Sequence, residues 1–299
     1  QGWMYHANIA AFLINVFLKK VLVWNVRQSL VDINLEKKLT RALIRLSAIF
    51  SPFINKVVFN SYVSLAQHEK AGFAKKNTVV IPNGFELDKY HCLNHEKNKS
   101  FKKKYGITET GKIIGHVARF HPMKNHLGFV KDVSRVMVDN CNAYCVMVGK
   151  DIDVNNSVLV DAIDAGGCSD RFILLGERKD LETIYSVFDF TVSSSLWGEA
   201  FPNIIGESMA CGTPCIVSDV GDAERIVGSY GFVYESHDTK GLVSHLNNAL
   251  NMNDYDYKRL SELCRVHVTA NYSIESVYSQ YMNEYKGLSG GTLNNRCKY

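Results

Sequence analysis

The segment Phe190-Thr-Val-Ser-Ser-Ser-Leu-Trp-Gly-Glu199-Ala-Phe-Pro-Asn-Ile-Ile-Gly-Glu207-Ser-Met-Ala-Cys-Gly-Thr-Pro214-Cys-Ile-Val-Ser218 reads as strand, loop, helix, strand. The apolar runs Phe190–Val192 and Cys215–Ser218 bracket a helical stretch, Asn203–Cys211. Pro202 suits the first turn of that helix, where a missing N–H costs nothing. The open N–H groups of the turn form a seat for phosphate or another anion. Glu199 and Glu207, eight residues apart, stand on either side of it. Carboxylates repel a phosphate, so they suit hydroxyl groups, for which they are hydrogen-bond acceptors. An anion seat beside two hydroxyl-reading carboxylates suggests a nucleotide-sugar.

Outward from this segment the same alternation continues. Val21–Val26, Lys56–Phe59, Thr78–Ile81, Ile113–Val117, Ala143–Val148 and Arg171–Leu174 read as strands. Helical stretches are expected at Ala7–Leu18, Leu35–Phe50, Ser61–Lys70, His126–Asn140, Val158–Ala165 and Leu181–Phe188. Alternating β and α with short loops implies an α/β fold with parallel sheets covered on both faces. The polar stretch Pro82 to Lys104 is the expected boundary between two domains. We therefore expect a partial first domain over 1–86, a second over 87–272, a C-terminal helix over 273–288 that crosses back to the first, and a disordered tail over 289–299. The stretch before the boundary is short for a full domain, and the chain starts with Gln1, so the visible start is expected not to be the native one.

Composition bounds the function. With 46% hydrophobic and 21% charged residues the chain belongs among soluble globular proteins. A net charge of +4 is too weak to argue for nucleic acid. Basic residues cluster at Lys19-Lys20, at Lys37-Lys38 with Arg41 and Arg45, at Lys75-Lys76 and at Lys102-Lys103-Lys104. The plain reading is a solvated face; the sharper one is peripheral contact with an anionic membrane. The run Ile9–Leu18 is too short to span a bilayer and reads as a buried amphipathic helix. Eight scattered cysteines without a CxxC pair read as reduced thiols of a cytoplasmic protein, and the Asn-x-Ser matches at Asn98, Asn155 and Asn271 as chance.

A second loop carries chemistry. Gly115-His-Val-Ala-Arg119-Phe-His-Pro-Met-Lys124-Asn125 follows a strand, where open α/β sheets bind ligands. Arg119 and Lys124 are placed to clamp a pyrophosphate; an exposed basic loop is the alternative. His116, His121 and His126 recur every five residues, but no further spacing supplies a metal-ligand set. Gly106 to Lys112 lacks the Ser/Thr of a P-loop and precedes a strand rather than following one. Asp219 or Asp222 is expected to cap a short helix. The loop Gly176-Glu-Arg178-Lys-Asp180 offers backbone on which a base rests, with Asp180 as a helix cap. His6 and Arg27 end up beside a cleft if two domains oppose each other; either is also an ordinary structural polar residue.

Glu199–Glu207, the Arg119…Lys124 loop and the turn Ile81-Pro82-Asn83-Gly84 occur together, in order. The set resembles the GT-B retaining glycosyltransferases of group 1 (family 4), and Trp3-Met-Tyr-His6 and Trp24-Asn-Val-Arg27 look like its bacterial surface-polysaccharide branch. The resemblance implies two Rossmann-like domains facing across a cleft, the first incomplete, since nothing corresponds to its glycine-rich loop. It implies that Arg119 and Lys124 neutralise a departing diphosphate and that Glu199 holds a hydroxyl of the donor sugar. Gly198, Ala200, Phe201, Pro202, Asn203 and Ile204 would line sugar and phosphates, with Arg178 also on the donor side. Glu207 would take the ribose, His6 would sit by the donor sugar, and Arg27 would lie on the acceptor side. The donor is a nucleotide-sugar, with uridine expected because it is common in the class. The acceptor is a saccharide or lipid-linked saccharide of cell-surface polysaccharide synthesis, met at the cytoplasmic face of the inner membrane. No metal and no cofactor are implied. A truncated fragment that binds donor without transfer is the alternative. A GT-B epimerase is a third reading, but it needs acid and base groups that the sequence does not offer.

Overall fold

The computed structural model describes residues 1–92, 95–288 and Gly290. The expected tail over 289–299 lies, apart from Gly290, outside the described residues, as does Cys297. Two compact units emerge. One comprises Gln1–Gly84, Gly198–Phe201 and the segment from Tyr272; the other comprises Phe85–Trp197 and Pro202–Asn271.

The first unit begins with β1 (Gly2–Trp3), α1 (Met4–Leu18), β2 (Val23–Val26), α2 (Lys38–Phe50), β3 (Lys56–Phe59), α3 (Tyr62–Lys70) and β4 (Thr78–Val80). The strands form a parallel sheet in the order β1-β2-β3-β4. Successive side chains on a strand point to opposite faces. Trp24, Val26, Val57 and Phe59 accordingly bury one face, with Tyr5 and Ile9 of α1 and Ile44 of α2. Val23, Val58 and Ile81 bury the other, with Val277.

The second unit continues with α4 (His95–Lys104), β5 (Lys112–Val117), α5 (His126–Asp139), β6 (Ala143–Val148), α6 (Ser157–Ala165), β7 (Phe172–Leu174), α7 (Leu181–Val187), β8 (Phe190–Ser193), α8 (Asn203–Ala210), β9 (Cys215–Ser218), α9 (Ala223–Val227), β10 (Phe232–Tyr234), α10 (Thr239–Leu250) and α11 (Asp254–Tyr272). Then α12 (Ile274–Leu288) supplies Val277 and Tyr281 to the first unit. The second sheet is parallel throughout, with order β10-β9-β8-β5-β6-β7. The chain starts in the middle at β5, builds outward to β7, then returns to β8 and builds the other way. That reversal is a topological switch point, and in open α/β sheets ligands bind beside such a point, at the carboxyl ends of the strands. Ile114 and Ile113 of β5 are both fully buried, on opposite faces, against Phe129 and Met137 on one side and Ile184 and Phe188 on the other. The fold is α/β with two Rossmann-like parallel-sheet units.

Several expectations change. The run Ile9–Leu18 is not a buried helix: α1 starts at Met4 and buries only Tyr5, Asn8 and Ile9, while Leu13, Ile14, Val16, Phe17 and Leu18 are exposed. Its apolar residues run round the helix, so one sheet cannot cover them all. The polar stretch read as boundary contains α4, in which Lys99, Lys103 and Lys104 are exposed. Strands β1 and β10 and helices α10 and α11 add to the expected set. No helix among the described residues is long and apolar enough to cross a membrane.

Candidate functional site

Two loops meet at the switch point of the second unit. After β5 the chain passes Arg119, makes a 3-10 turn at Pro122–Lys124, and enters α5 through Asn125 in left-handed conformation (φ 56°). His121 Nδ1 accepts from Met123 N at 3.2 Å and so caps the turn. The loop after β8 ties onto it: Ser194 Oγ donates to Lys124 O at 2.9 Å, and Leu196 N donates to Met123 O at 2.8 Å. His116 Nε2 lies 3.0 Å from the same Ser194 Oγ. The backbone beneath Lys124 is thus fixed from the neighbouring strand. Arg119 is exposed and Lys124 half-buried.

His116 and His126 are core residues with rings 4.8 Å apart, and His116 stacks on Phe129. Burial, then its neighbour His126 and the charge of Lys124, hold His116 well below its usual range. Burial takes His126 down to about 4, with backbone hydrogen bonding from Ala118 opposing and the Lys124 charge assisting. Both are neutral near pH 7, and His121 belongs to the turn. Among the described residues no group of three or more His, Cys, Asp or Glu is arranged to hold a metal ion.

Pro202 occupies the N-cap of α8 rather than its first turn, and no side chain among the described residues caps the helix. One turn further on, Glu207 turns inward. Its Oε2 accepts from Tyr185 Oη at 2.9 Å, and Tyr90 adds a second hydroxyl. Burial raises the Glu207 pKa, while the two tyrosines and the charge of Lys89 pull it back. Tyr185 is itself fully buried, its carbonyl held by Thr213 Oγ1 at 2.7 Å. Ser208 Oγ donates to Thr191 Oγ1 at 2.7 Å and fixes α8 to β8. The tyrosine pair was not legible in the sequence, because its members come from elements far apart in the chain.

Gly149 was also missed. It follows β6 with φ 151°, and a Cβ there would lie 2.0 Å from Ala118 O. Only glycine lets the β6 loop close on the β5 loop that carries Arg119. A glycine directly after a strand was the available hint.

Arg178 donates Nε and NH2 to both carboxylate oxygens of Asp180, at 2.8 and 2.6 Å. Asp180 therefore holds an arginine and does not cap α7 with its side chain. The Arg178 partnership keeps the Asp180 carboxyl below its usual range. The capping expected of Asp219 or Asp222 is likewise not made: Asp219 Oδ1 accepts from Ser236 N at 2.7 Å, and no side chain caps α9.

Asn203 and Ile204 open α8 in the second unit, and the remaining expected residues group with the first. Gly198 has φ 82°, which a side chain would strain. Glu199 is half-buried, Ala200 and Phe201 are buried, and the Phe201 ring meets Tyr272 edge-on at 5.7 Å. His6 lies exposed in the first turn of α1, not ahead of it. Arg27 stacks on Trp3 at 4.5 Å and donates to Tyr281 Oη at 2.8 Å and to Asn83 Oδ1. Met4 precedes His6 in a left-handed conformation (φ 65°) that is unusual for a side-chain-bearing residue.

A parallel sheet reversing at β5, with cations after β5 and a helix after β8, defines a GT-B type of fold. Solved structures agree. Anabaena Alr3699/HepE in complex with UDP superposes with a TM-score of 0.83 at 18% identity, over 95% of this chain and 78% of that one. A sucrose-phosphate synthase from Thermosynechococcus elongatus gives 0.80 at 18%, over 97% and 73%. The family model "Glycosyl transferases group 1" matches residues 97–265, and the chain belongs to that family. Among curated relatives, the UDP-Gal:alpha-D-GlcNAc-diphosphoundecaprenol alpha-1,3-galactosyltransferase of Escherichia coli is 30% identical over 172 residues, 56% of this chain and 43% of that protein. The N-acetyl-alpha-D-glucosaminyl L-malate synthase of Bacillus anthracis is 26% identical over 186 residues, 62% and 48%. The chain thus spans less than half the length of these curated relatives.

Proposed function

We propose that the protein transfers a sugar from a nucleotide-sugar, with a uridine diphosphate leaving group, to a saccharide or lipid-linked acceptor in bacterial surface-polysaccharide synthesis. The observation that carries this reading is Glu207, held by Tyr185 and Tyr90 on a helix whose start has no side-chain cap. A fixed, partly desolvated carboxylate suits a pair of ribose hydroxyls, and a helix N-terminus suits a phosphate.

The chemistry asked of the protein is charge stabilisation. As the bond from the anomeric carbon to the phosphate oxygen breaks, negative charge grows on the diphosphate. Arg119, Lys124 and the N-terminus of α8 are preorganised to meet it, which lowers the barrier more than it tightens the ground state. Glu199 holds a sugar hydroxyl. Gly198, Ala200, Phe201, Pro202, Asn203 and Ile204 line sugar and phosphates, and the Arg178–Asp180 pair borders the base. His6 and Arg27 serve the acceptor side. The acceptor hydroxyl attacks on the face from which phosphate departs, so configuration is retained, and a phosphate oxygen takes its proton. No metal takes part. Work at the cytoplasmic face of a membrane fits a lipid-linked acceptor, the kind that the Escherichia coli relative's name specifies.

Thermal denaturation with UDP-, GDP- and ADP-linked sugars, with and without magnesium, tests the donor half. A donor at 100 times its dissociation constant should add about 2.7 kcal/mol. We expect magnesium-independent stabilisation by UDP-sugars that is lost in Glu207→Ala. Equal response to all nucleotides, or none to any, overturns the reading.

A further inference from the structure

Arg27 follows β2 in the first unit, and its charge meets no counter-charge among the described residues. Its backbone N–H donates to Met4 Sδ at 3.3 Å. The guanidinium lies 4.5 Å from the centre of the Trp3 ring, donates NH1 to Asn83 Oδ1 and donates NH2 to Tyr281 Oη at 2.8 Å. Tyr281 gives its own hydrogen to Asn25 Oδ1 at 2.8 Å, so it faces the arginine as an acceptor only. All of these partners are neutral. Among the described residues no carboxylate forms an ion pair with Arg27, and its buried Nε has no partner. Arg171 and Arg265 form no ion pair there either, but they donate to Met137 O and Asn140 O at the end of α5 and to Ala210 O at the end of α8. The carboxyl end of a helix carries partial negative charge. Arg27 stands at the opposite pole: Trp3 is the N-cap of α1, whose first turn has no acidic residue.

A cation held partly out of water destabilises a fold unless an anion meets it. Parallel strands bring their carboxyl ends to one edge of the sheet, where ligands of open α/β folds bind. Trp3 at the end of β1, Arg27 after β2 and Asn83 in the turn after β4 all come from that edge. Trp3 is 48% exposed and Arg27 half-buried, so solutes can reach the group. We propose that Arg27 seats an oxyanion carried by the acceptor, a phosphate ester or a carboxylate. The proposal rests on the acceptor-side reading of Arg27 above and adds the charge of the group bound there. A guanidinium has five N–H donors, of which two are used here. With its plane fixed on a ring and donors to spare, it matches two oxygens of one oxyanion. A neutral hydroxyl would leave the charge uncompensated.

Thermal denaturation with inorganic phosphate and with acetate tests this, in the presence of UDP to fill the diphosphate seat of the second unit. Sodium chloride at matched ionic strength sets the baseline. A probe at ten times its dissociation constant should raise the melting temperature by roughly 2–4 °C, and the more effective probe identifies the group. Arg27→Met, which keeps an apolar stem over Trp3, should lose that shift. Asn83→Asp should lose it as well, because it gives the guanidinium a carboxylate of its own, and without probe it should melt above wild type. Asn83→Asp also carries the test if Arg27→Met does not fold. A shift that survives Asn83→Asp, or no shift beyond that in chloride with either probe, overturns the proposal. If Arg27 merely ties Trp3, Asn83 and Tyr281 together, Arg27→Met lowers the melting temperature and leaves the probe shift unchanged, which overturns it too. An Arg27-dependent shift without any stabilisation by UDP-sugars removes the donor reading and leaves this site standing. Donor stabilisation with a probe shift that ignores Arg27 sinks only this inference.

Discussion

Each unit buries a neutral histidine, but in different company. In the first unit His68 is fully buried and both ring nitrogens are engaged, by Tyr5 Oη at 2.6 Å and Ser64 O at 2.7 Å. In the second, Nδ1 of His126 has no close hydrogen-bond partner among the described residues, and Nε2 approaches Ala118 O only at 3.4 Å. Both are brought down to about 4, in each case chiefly by burial. A satisfied polar group in a closed core serves stability; an unsatisfied one beside an open loop is tolerated where the loop has other work. If so, changes around His68 should be felt in stability, and changes around the Lys124 and Glu207 loops in turnover.

The largest effect should come from Lys124→Ala. Removing one preorganised group that meets transition-state charge costs about 10²–10³ in kcat, roughly 3–4 kcal/mol. Donor KM should change far less, and the melting temperature should stay put, because Lys124 contributes its backbone rather than its side chain to the tie with Ser194. Unchanged turnover would remove Lys124 from the chemistry and break the contrast between the units.

Tyr185→Phe sharpens the comparison within the second unit. The hydroxyl donates to Glu207, and a hydrogen bond to a charged group is worth about 1.5–3 kcal/mol. Donor affinity should weaken tenfold or more while kcat at saturating donor stays near wild type. Deleting the hydroxyl also raises the carboxyl's pKa further, so donor affinity should begin to fall at a higher pH than in wild type as the solution is acidified. A purely structural tyrosine would shift stability without moving that pH profile.

The histidines give a third, intermediate effect. Unfolded, each titrates near 6.5; folded, near 4. Between these values the unfolded chain binds more protons, so stability is fully present above about pH 6.5 and drains as pH falls towards 4, by at most about 3 kcal/mol per histidine. His68→Leu should cost about 1–3 kcal/mol at pH 7, because it strands the buried Tyr5 hydroxyl. His126→Leu strands nothing comparable and should cost less. Either substitution should flatten the acid limb of a stability-versus-pH curve measured by denaturant melts. Equal costs at pH 7 would mean that the different partners of the two rings do not matter.

What was legible in the sequence follows the same physics. Lys56–Phe59, Ala143–Val148 and Cys215–Ser218 could be read to the residue, since strands buried on both faces are unbroken apolar runs. Phe232–Tyr234 has only three residues and no periodicity to find. Helix α11 buries just Cys264 and Val268, and half of α4 is lysine, so neither shows an apolar stripe. At the site, Glu207 stands out because its spacing from Glu199 is a local pattern. Tyr185 and Tyr90 do not, because only the fold brings three separate segments to one carboxylate. The exposure of α1 was hidden for the opposite reason: an apolar helix reads as buried until the sheet beneath it proves too small to cover it.

That helix sets the smallest expected effect. Phe17 is 87% exposed, and Leu13, Ile14 and Leu18 are each more than half exposed. A side chain in that position has lost little contact with water on folding, so little is given up when it is replaced. Phe17→Ser should change stability by less than about 0.5 kcal/mol in a denaturant melt of this chain. The same substitution at Ile44, fully buried between α2 and the sheet, should cost several kcal/mol through the cavity and the stranded hydroxyl. A large loss at Phe17 would mean that this stretch is covered in solution, by another copy of the chain or by a part of the first unit that packs differently. Repeating the melt over a tenfold range of protein concentration separates those two cases, because only the first makes the loss concentration-dependent.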